Sequence, residues 1–359
     1  MAQRRVGTVV YREDLSPHLL IIRLMPEAGT TFPTSKAGQY ITLSSDNCRL
    51  TKKLGVRPDG KAIHGPALDE SGQQKTGTVT HSYSLSSAPE EQETHGYLEF
   101  YLTLETLRGG GYGRLSSALA RLDPAGRERT LGYVDRIAGT FTLEDRTTGY
   151  SHVLMVGSGT SLAPFVAMIK QLHHDAQSGR GDGQRYTLLH TNRTFEELGY
   201  HETLVDIERA QNFDFVYIPT VSRPTDHDRR NPGVGIGRAN NVLRYMLGLL
   251  TKEQEALAAS LGRDGDPGEA EEAFRRTVKP ELPAHLSVGG LADRLDAKTT
   301  KILACGNPVS LTDIRQTAER CGFAFDMEEW QRFARLTPSY PIPSIACLTS
   351  ALSGRTEMS

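Results

Sequence analysis

The stretch HVLMVGSGTSLAPFVAMIKQLHHD, residues 152–175, decides the fold. Its opening run, Val153 to Val156, is apolar without alternation and is closed by Gly157, as in a strand buried on both faces. Gly157-Ser158-Gly159-Thr160 then turns the chain, and Ala163-Pro164-Phe165 begins a segment of helical periodicity with proline in its first turn. Strand, glycine turn and helix form the opening unit of a doubly wound parallel sheet. Glycines at such a turn let a phosphate approach the backbone. Because position 162 is leucine, the G-x-G-x-x-G fingerprint is absent, and the loop alone reads equally as a phosphate cradle or a tight turn.

Downstream, strand and helix patterns alternate. YTLLHTN (186–192), FDFVYIPTV (213–221) and KILACGN (301–307) read as buried strands. FEELGYHETLVDIERA (195–210), NNVLRYMLGLL (240–250) and SLTDIRQTAERCG (310–322) read as helices. This order predicts an α/β domain over 150–359. It is interrupted at 251–290 by a charged, partly helical surface insertion and followed by a tail, 331–359.

Upstream the period shortens. VGTVVY (6–11), HLLIIRLM (18–25), GQYITL (38–43), VTHSYSLSS (79–87), YLEFYLTLE (97–105) and GTFTLED (139–145) carry strand patterning, with one short helix at LSSALARL (115–122). An antiparallel β-barrel over 1–149 follows, with 46–78 as a polar loop insertion.

The 41 basic and 43 acidic residues nearly cancel, giving a formal charge of -2, so no global field favours nucleic acid or an anionic membrane. No leader-like apolar segment follows the basic start and no long apolar run occurs, so a cytoplasmic, unanchored protein is expected. Cys48, Cys305, Cys321 and Cys347 lack C-x-x-C or iron–sulfur spacing. No metal site is expected, and any iron–sulfur partner is a separate protein.

Four further stretches carry chemistry. Tyr83 and Ser84, within His81-Ser82-Tyr83-Ser84, offer a ring face and an adjacent hydroxyl that suit a flat heterocycle, or are ordinary strand residues. Gly113-Arg114-Leu115-Ser116-Ser117 opens a helix where free N–H groups can hold an anion, or where Ser116 is simply an N-cap. Ser222 and Arg223 at a strand's carboxyl end, with Arg238 after Gly237, can grip a phosphate monoester or stand solvated. Cys305-Gly306-Asn307-Pro308 closes a buried strand and reads as a site or as a turn.

In this order the stretches resemble the ferredoxin–NADP reductase superfamily, roughly over residues 5–325 outside the insertions. Tyr83-Ser84 is similar to the end of its R-x-Y-S flavin motif, Gly113 to Leu119 to its diphosphate-binding helix start, Gly157 to Phe165 to its pyridine-nucleotide loop, and Cys305 to Pro308 to its C-G-N-P signature. Leu98 to Leu102, and Asn192-Arg193 followed by Glu197-Leu198-Gly199-Tyr200, resemble the bacterial subclass.

The resemblance implies FAD on the barrel and NADP(H) on the α/β domain. Tyr83 would lie against the isoalloxazine and Ser84 near flavin N5. His81, Ser82, Tyr101, Leu102, Thr103, Leu115, Ser116, Ser117 and Thr160 would complete the FAD site. Asn192, Arg193, Ser222, Arg223 and Arg238 would bind the adenosine end of NADP, and Cys305 and Gly306 would border the nicotinamide. Ser84 and Cys305 are the implied catalytic residues.

Hydride would pass between NADP(H) and the flavin, and single electrons to or from ferredoxin or flavodoxin. Two alternatives share the motifs: an NAD(P)H-dependent flavin reductase or oxygenase-reductase component, and a flavin-poor nucleotide- or partner-binding relative. The sequence departs from the family pattern in three places. His81 stands where the family has arginine, Ser161 replaces a Gly or Ala, and residues 331–359 follow an acidic-aromatic stretch, Glu328-Glu329-Trp330, that ordinarily lies near the terminus.

Overall fold

The computed structural model describes residues 3–56, 62–107, 111–261 and 268–328. The tail 331–359 and the pair Glu329-Trp330 lie outside the described residues.

The first sheet contains β1 (Arg4–Ser16), β2 (Leu19–Met25), β3 (Tyr40–Arg49), β6 (Thr76–Ser84), β7 (Leu98–Thr103) and β8 (Thr130–Ala138). All its pairings are antiparallel, in the order β6-β3-β8-β1-β2-β7. The sheet curls: just beyond β6 the Ser86 N–H donates to the Glu99 carbonyl of β7 (2.9 Å), drawing its two edge strands together. Leu20, Ile22, Leu43, Leu98, Phe100 and Tyr133 fill its interior, and helix α2 (Arg114–Ala120) closes one end by burying Leu115 and Leu119.

Two expectations are corrected here. The segment 46–78 is not simply a loop: β3 runs to Arg49, β4 (Thr51–Val56) pairs with β5 (Ala62–Pro66) as a ribbon, and β6 begins at Thr76, with residues 57–61 outside the described ones. Leu54, Val56 and Ile63 on the ribbon are exposed, so no core imposes the alternation by which a strand is read from sequence. GTFTLED is not a strand. The strand is TLGYVDRIA (130–138), which ends at Gly139 in the left-handed region (φ 111). Beyond it Thr142 caps α3 (Leu143–Arg146) through the Asp145 N–H (3.2 Å), and Phe141 packs toward Phe165 of the other domain.

The second sheet is parallel, in the order β12-β11-β10-β9-β13-β14. Its strands are β9 (His152–Ser158), β10 (Arg185–Asn192), β11 (Phe215–Val221), β12 (Gly235–Ile236), β13 (Thr300–Cys305) and β14 (Ala324–Met327). β9, β10, β11 and β13 are buried along nearly their whole length, because helices cover both faces. Helix α4 (Ala163–Gln177) follows the glycine turn with Pro164 in its first turn and buries Ala163 to Ile169.

The stretch 195–210 does not form one helix. A 3-10 turn (Phe195–Glu197) gives way at Tyr200, which has φ 64, to α5 (His201–Ala210). Gly199 passes so close to Tyr101 that a Cβ there would lie 2.9 Å from the ring.

The insertion 251–290 is only partly a surface feature. Helices α8 (Lys252–Leu261) and α9 (Gly268–Arg275) bury no residue, but Glu281 forms an antiparallel bridge to Ile236. Helices α1 (Pro89–His95), α6 (Asp226–Arg230), α7 (Ala239–Met246), α10 (Val288–Ala292) and α11 (Pro308–Arg320), with a 3-10 turn at Gly159–Leu162, complete the described elements. Among the described residues no helix is long and apolar enough to cross a membrane.

Candidate active site

Strand order reverses between β9 and β13, and the carboxyl ends of these neighbours, at Gly157 and Cys305, are paired in register. A ligand crevice is expected outside strand ends at such a switch point. Gly306 sits so close to Ser158 that an added Cβ would lie 2.6 Å from its hydroxyl, so a side chain there would turn Ser158 Oγ aside.

Three side chains converge here from both domains. Ser84, the last residue of β6, places its Oγ 3.3 Å from both Glu328 carboxyl oxygens. Cys305, the last residue of β13, places its Sγ 3.2 Å from Glu328 Oε2. Glu328 follows β14, and its N–H donates to the Ala304 carbonyl (3.0 Å). Burial raises the Glu328 pKa above the usual carboxyl range, although the Cys305 thiol and Ser84 hydroxyl oppose that shift by donating to the charged form. A partly buried carboxyl of raised pKa between a thiol and a hydroxyl can hold or pass a proton. Glu328 is absent from the residues assigned by sequence. The acidic-aromatic stretch at 328–330 is the signal that points to it.

Beside this cluster, between barrel and sheet, lies a cleft of about 290 Å³. His18, Leu19 and Thr103 line its barrel wall; Ser158, Gly159, Thr191, Asn192, Arg193, Glu197, Ser222, Arg238 and Asn307 contribute from the other domain. Thr103 and Thr160 hydrogen-bond across the domains (3.0 Å). Arg193, Ser222 and Arg238 thus share one cleft. Arg223 does not line it: its side chain is exposed, and its N–H donates to the Arg193 carbonyl (2.8 Å). Asn192 is largely committed to the protein, its amide donating to the Tyr101 hydroxyl (3.0 Å) and the Glu197 carbonyl.

Tyr101 and Leu102 also point away from any open surface. The Tyr101 ring is buried in the seam between the domains, edge-on to Tyr200, with its hydroxyl donating to the Glu197 carbonyl (2.8 Å). Leu102 is buried in the barrel interior. Alternation along β7 sends the two to opposite faces.

On the other flank of β6, Tyr83 packs half-buried against the barrel core and His81 is exposed, their rings 6.5 Å apart. Ser82 hydrogen-bonds Thr42 (3.1 Å). Partial desolvation lowers the pKa of the His81 ring, and the charge of Arg114, the first residue of α2, lowers it further. Gly113 is the N-cap of that helix and makes no side-chain cap. Ser116 is therefore not the N-cap. It lies inside the helix, buried, with its hydroxyl accepting from the Glu105 N–H (2.9 Å), and Ser117 Oγ donates to the Tyr112 carbonyl (3.3 Å). The N–H groups of the helix's first turn have no intrahelical acceptor.

Residues 155–257 match the family model described as the oxidoreductase NAD-binding domain. No curated protein is matched. A ferredoxin NADP+ reductase from Neisseria gonorrhoeae, solved with bound FAD and NADP, is similar at 18% identity, with 91% of this chain and 99% of that one covered and a TM-score of 0.52. The cytochrome b5 reductase domain of Ulva prolifera nitrate reductase is similar at 14% identity, 91% and 97% coverage and a TM-score of 0.54. A cytochrome P450 reductase from Amycolatopsis is similar at 17% identity, 92% and 71% coverage and a TM-score of 0.53. An antiparallel curled sheet joined to a parallel sheet that carries the matched segment gives this chain the two-domain fold of the ferredoxin–NADP reductase-like oxidoreductases.

Proposed function

We propose that this protein is an FAD-dependent NADP(H) reductase that passes hydride between nicotinamide and flavin and exchanges single electrons with ferredoxin or flavodoxin. The observation that carries the reading is the meeting of Ser84, Cys305 and Glu328, from both domains, at the switch point beside the cleft. Bound FAD would supply two-electron acceptance with one-electron release, the chemistry that side chains lack.

The residues fit that cofactor and a dinucleotide. The half-buried Tyr83 ring can stack on a flat heterocycle. His81, Arg114 and the first-turn N–H groups at Leu115 and Ser116 would gather where a diphosphate is neutralised, whereas the Ser117 N–H is already taken by the Gly113 carbonyl (2.8 Å). Arg193, Ser222 and Arg238 would give the cleft a phosphate-binding end. Ser84 and Cys305 hold the Glu328 carboxyl in place, and Thr103 and Thr160 tie the two walls together. Glu328 would stand at the reacting end of the site, where its raised pKa favours the protonated carboxyl.

The test is oxidation of NADPH by FAD-loaded protein with ferredoxin, flavodoxin and free flavin as competing acceptors. Protein carriers should be reduced faster than free flavin, and Glu328→Gln should lower turnover by about 10- to 100-fold with FAD retained. Faster reduction of free flavin would make it a flavin reductase instead, and failure to bind FAD would overturn the reading.

A further inference from the structure

Among the described residues other than glycine, Tyr200 and Gln211 have φ in the left-handed region, at 64° and 49°. Gln211 closes helix α5, a place where chains commonly take that conformation. Tyr200 opens the same helix, where an extended backbone and a side-chain cap are usual, and it supplies neither. A bulky residue so placed costs free energy that contacts elsewhere must offset.

The contacts of its side chain reach both domains. The half-buried ring stands edge-on to Tyr101, 5.7 Å between centroids, with Lys170 Nζ 5.1 Å from its own centroid. Its hydroxyl donates to Ser86 Oγ (2.8 Å), and Ser86 is fully buried two residues beyond Ser84. Since the Ser86 N–H is already held by the Glu99 carbonyl, Tyr200 ties a fixed segment of the barrel to the α/β domain. On the other side the Tyr101 hydroxyl accepts from the Asn192 amide (3.0 Å), and Asn192 ends β10 and lines the cleft. Asn192, Tyr101, Tyr200 and Ser86 thus form one line of contacts from the cleft to the end of β6. Tyr200 itself does not line the cleft, so any effect it has passes through its neighbours.

We infer that Tyr200 is a positioning residue for hydride transfer: through Ser86 and Tyr101 it sets the spacing between the end of β6, with Ser84, and the end of β10, with Asn192. A transfer that needs near-contact of donor and acceptor slows steeply when the two are slightly displaced, while binding on either side of the seam is little affected.

The inference rests on the reductase reading, and its test separates the two. FAD-loaded wild type, Tyr200→Phe, Ser86→Ala and the double variant are mixed with NADPH without oxygen, and bleaching of the flavin is followed by stopped flow. Tyr200→Phe keeps the ring and removes the hydroxyl. Flavin reduction should slow by about 10- to 100-fold in each single variant, and the double variant should be no slower than either, because one contact is lost in all three. Calorimetric affinities for FAD and NADP+ should stay within about twofold, and the difference spectrum that saturating NADP+ induces in the flavin should weaken. Loss of affinity in proportion to the rate would make Tyr200 a structural residue. Additive losses would detach it from Ser86, and an unchanged rate from the reaction; each of these results overturns the inference. NADPH that fails to reduce even the wild-type flavin would overturn the reductase reading and the inference with it.

Discussion

At the scale of single residues, His81 is the most informative departure from the family pattern. Its pKa is lowered, first by partial desolvation and then by the charge of Arg114. A diphosphate beside it would raise that pKa, because negative charge favours the imidazolium. A group whose pKa is higher in the complex than in the free protein adds affinity fully below its free pKa, and the gain disappears as pH rises through the bound value. FAD should therefore bind more tightly near pH 6 than near pH 8.5, and His81→Arg should flatten the dependence by tightening binding at high pH. Calorimetric titration of FAD into apoprotein across this range checks it. A flat profile that His81→Arg leaves unchanged would shift the role to Arg114. The resemblance marks His81 only as standing where the family has arginine; the proximity of Arg114 comes from the packing of α2 onto β6, across a separation in sequence that no local pattern encodes.

At the scale of elements, the insertion helix α8 reaches the cleft. Glu253 stands 4.0 Å from the Arg238 guanidinium and is itself only 15% exposed, held by the Asn241 amide (2.7 Å). Its neighbour on the same helix, Glu255, pairs with the buried Arg244, which also forms a bidentate pair with Asp313 of α11. These contacts fix α8, so the Glu253 carboxylate would compete with any phosphate brought to Arg238. Glu253→Gln should raise the preference for NADPH over NADH by about two- to fivefold; the effect is small because Arg238 is exposed and screened. The ratio of kcat/KM values for the two nucleotides measures it, and an unaltered ratio would leave Glu253 a purely structural anchor. Sequence reading places Arg223 and Arg238 together at the phosphate, yet only Arg238 lines the cleft. An exposed loop residue has no burial pattern by which its direction could be read.

At the scale of the whole molecule, buried titratable groups set the pH range of the fold. Burial, with the charges of Arg294 and Arg185, lowers the pKa of His152 to about 4, and burial with His201 lowers that of His190 to about 3. Glu99 joins the domains by pairing with Arg23 (2.7 Å) and with Lys170 of α4 (3.1 Å). Burial raises its pKa, but Lys170 and Arg23 outweigh burial and hold it below the usual value.

All three groups have folded pKa values depressed below their unfolded values. The histidines then contribute stability that is present above about pH 6.5 and lost as pH falls toward their folded values; Glu99 contributes stability lost below the ordinary glutamate range. Melting temperature should fall steadily from pH 7 to pH 4.5, and His190→Gln should flatten the upper part of that slope. Thermal unfolding followed by circular dichroism over this interval is the check, with an invariant melting temperature as the contrary result.

By itself the sequence determined the two kinds of sheet. Burial on both faces at β9, β10, β11 and β13 requires uninterrupted apolar runs, and one-sided burial in the barrel requires short alternating strands, so both patterns are local. It also marked the turns at Gly157 and Cys305, where chain reversal restricts which residues fit. The ribbon within 46–78, the strand at 130–138 and the short strands β12 and β14 gave no such sign, because their pattern is weak or their faces are solvated. Tertiary structure alone decided that Glu328 reaches Ser84 from 244 residues away, that Tyr101 turns into the seam between domains, and that Glu197 and His18 share a cleft. Those are contacts between elements whose meeting depends on how two sheets pack, and packing follows from the sum of burial over the chain and not from any one segment.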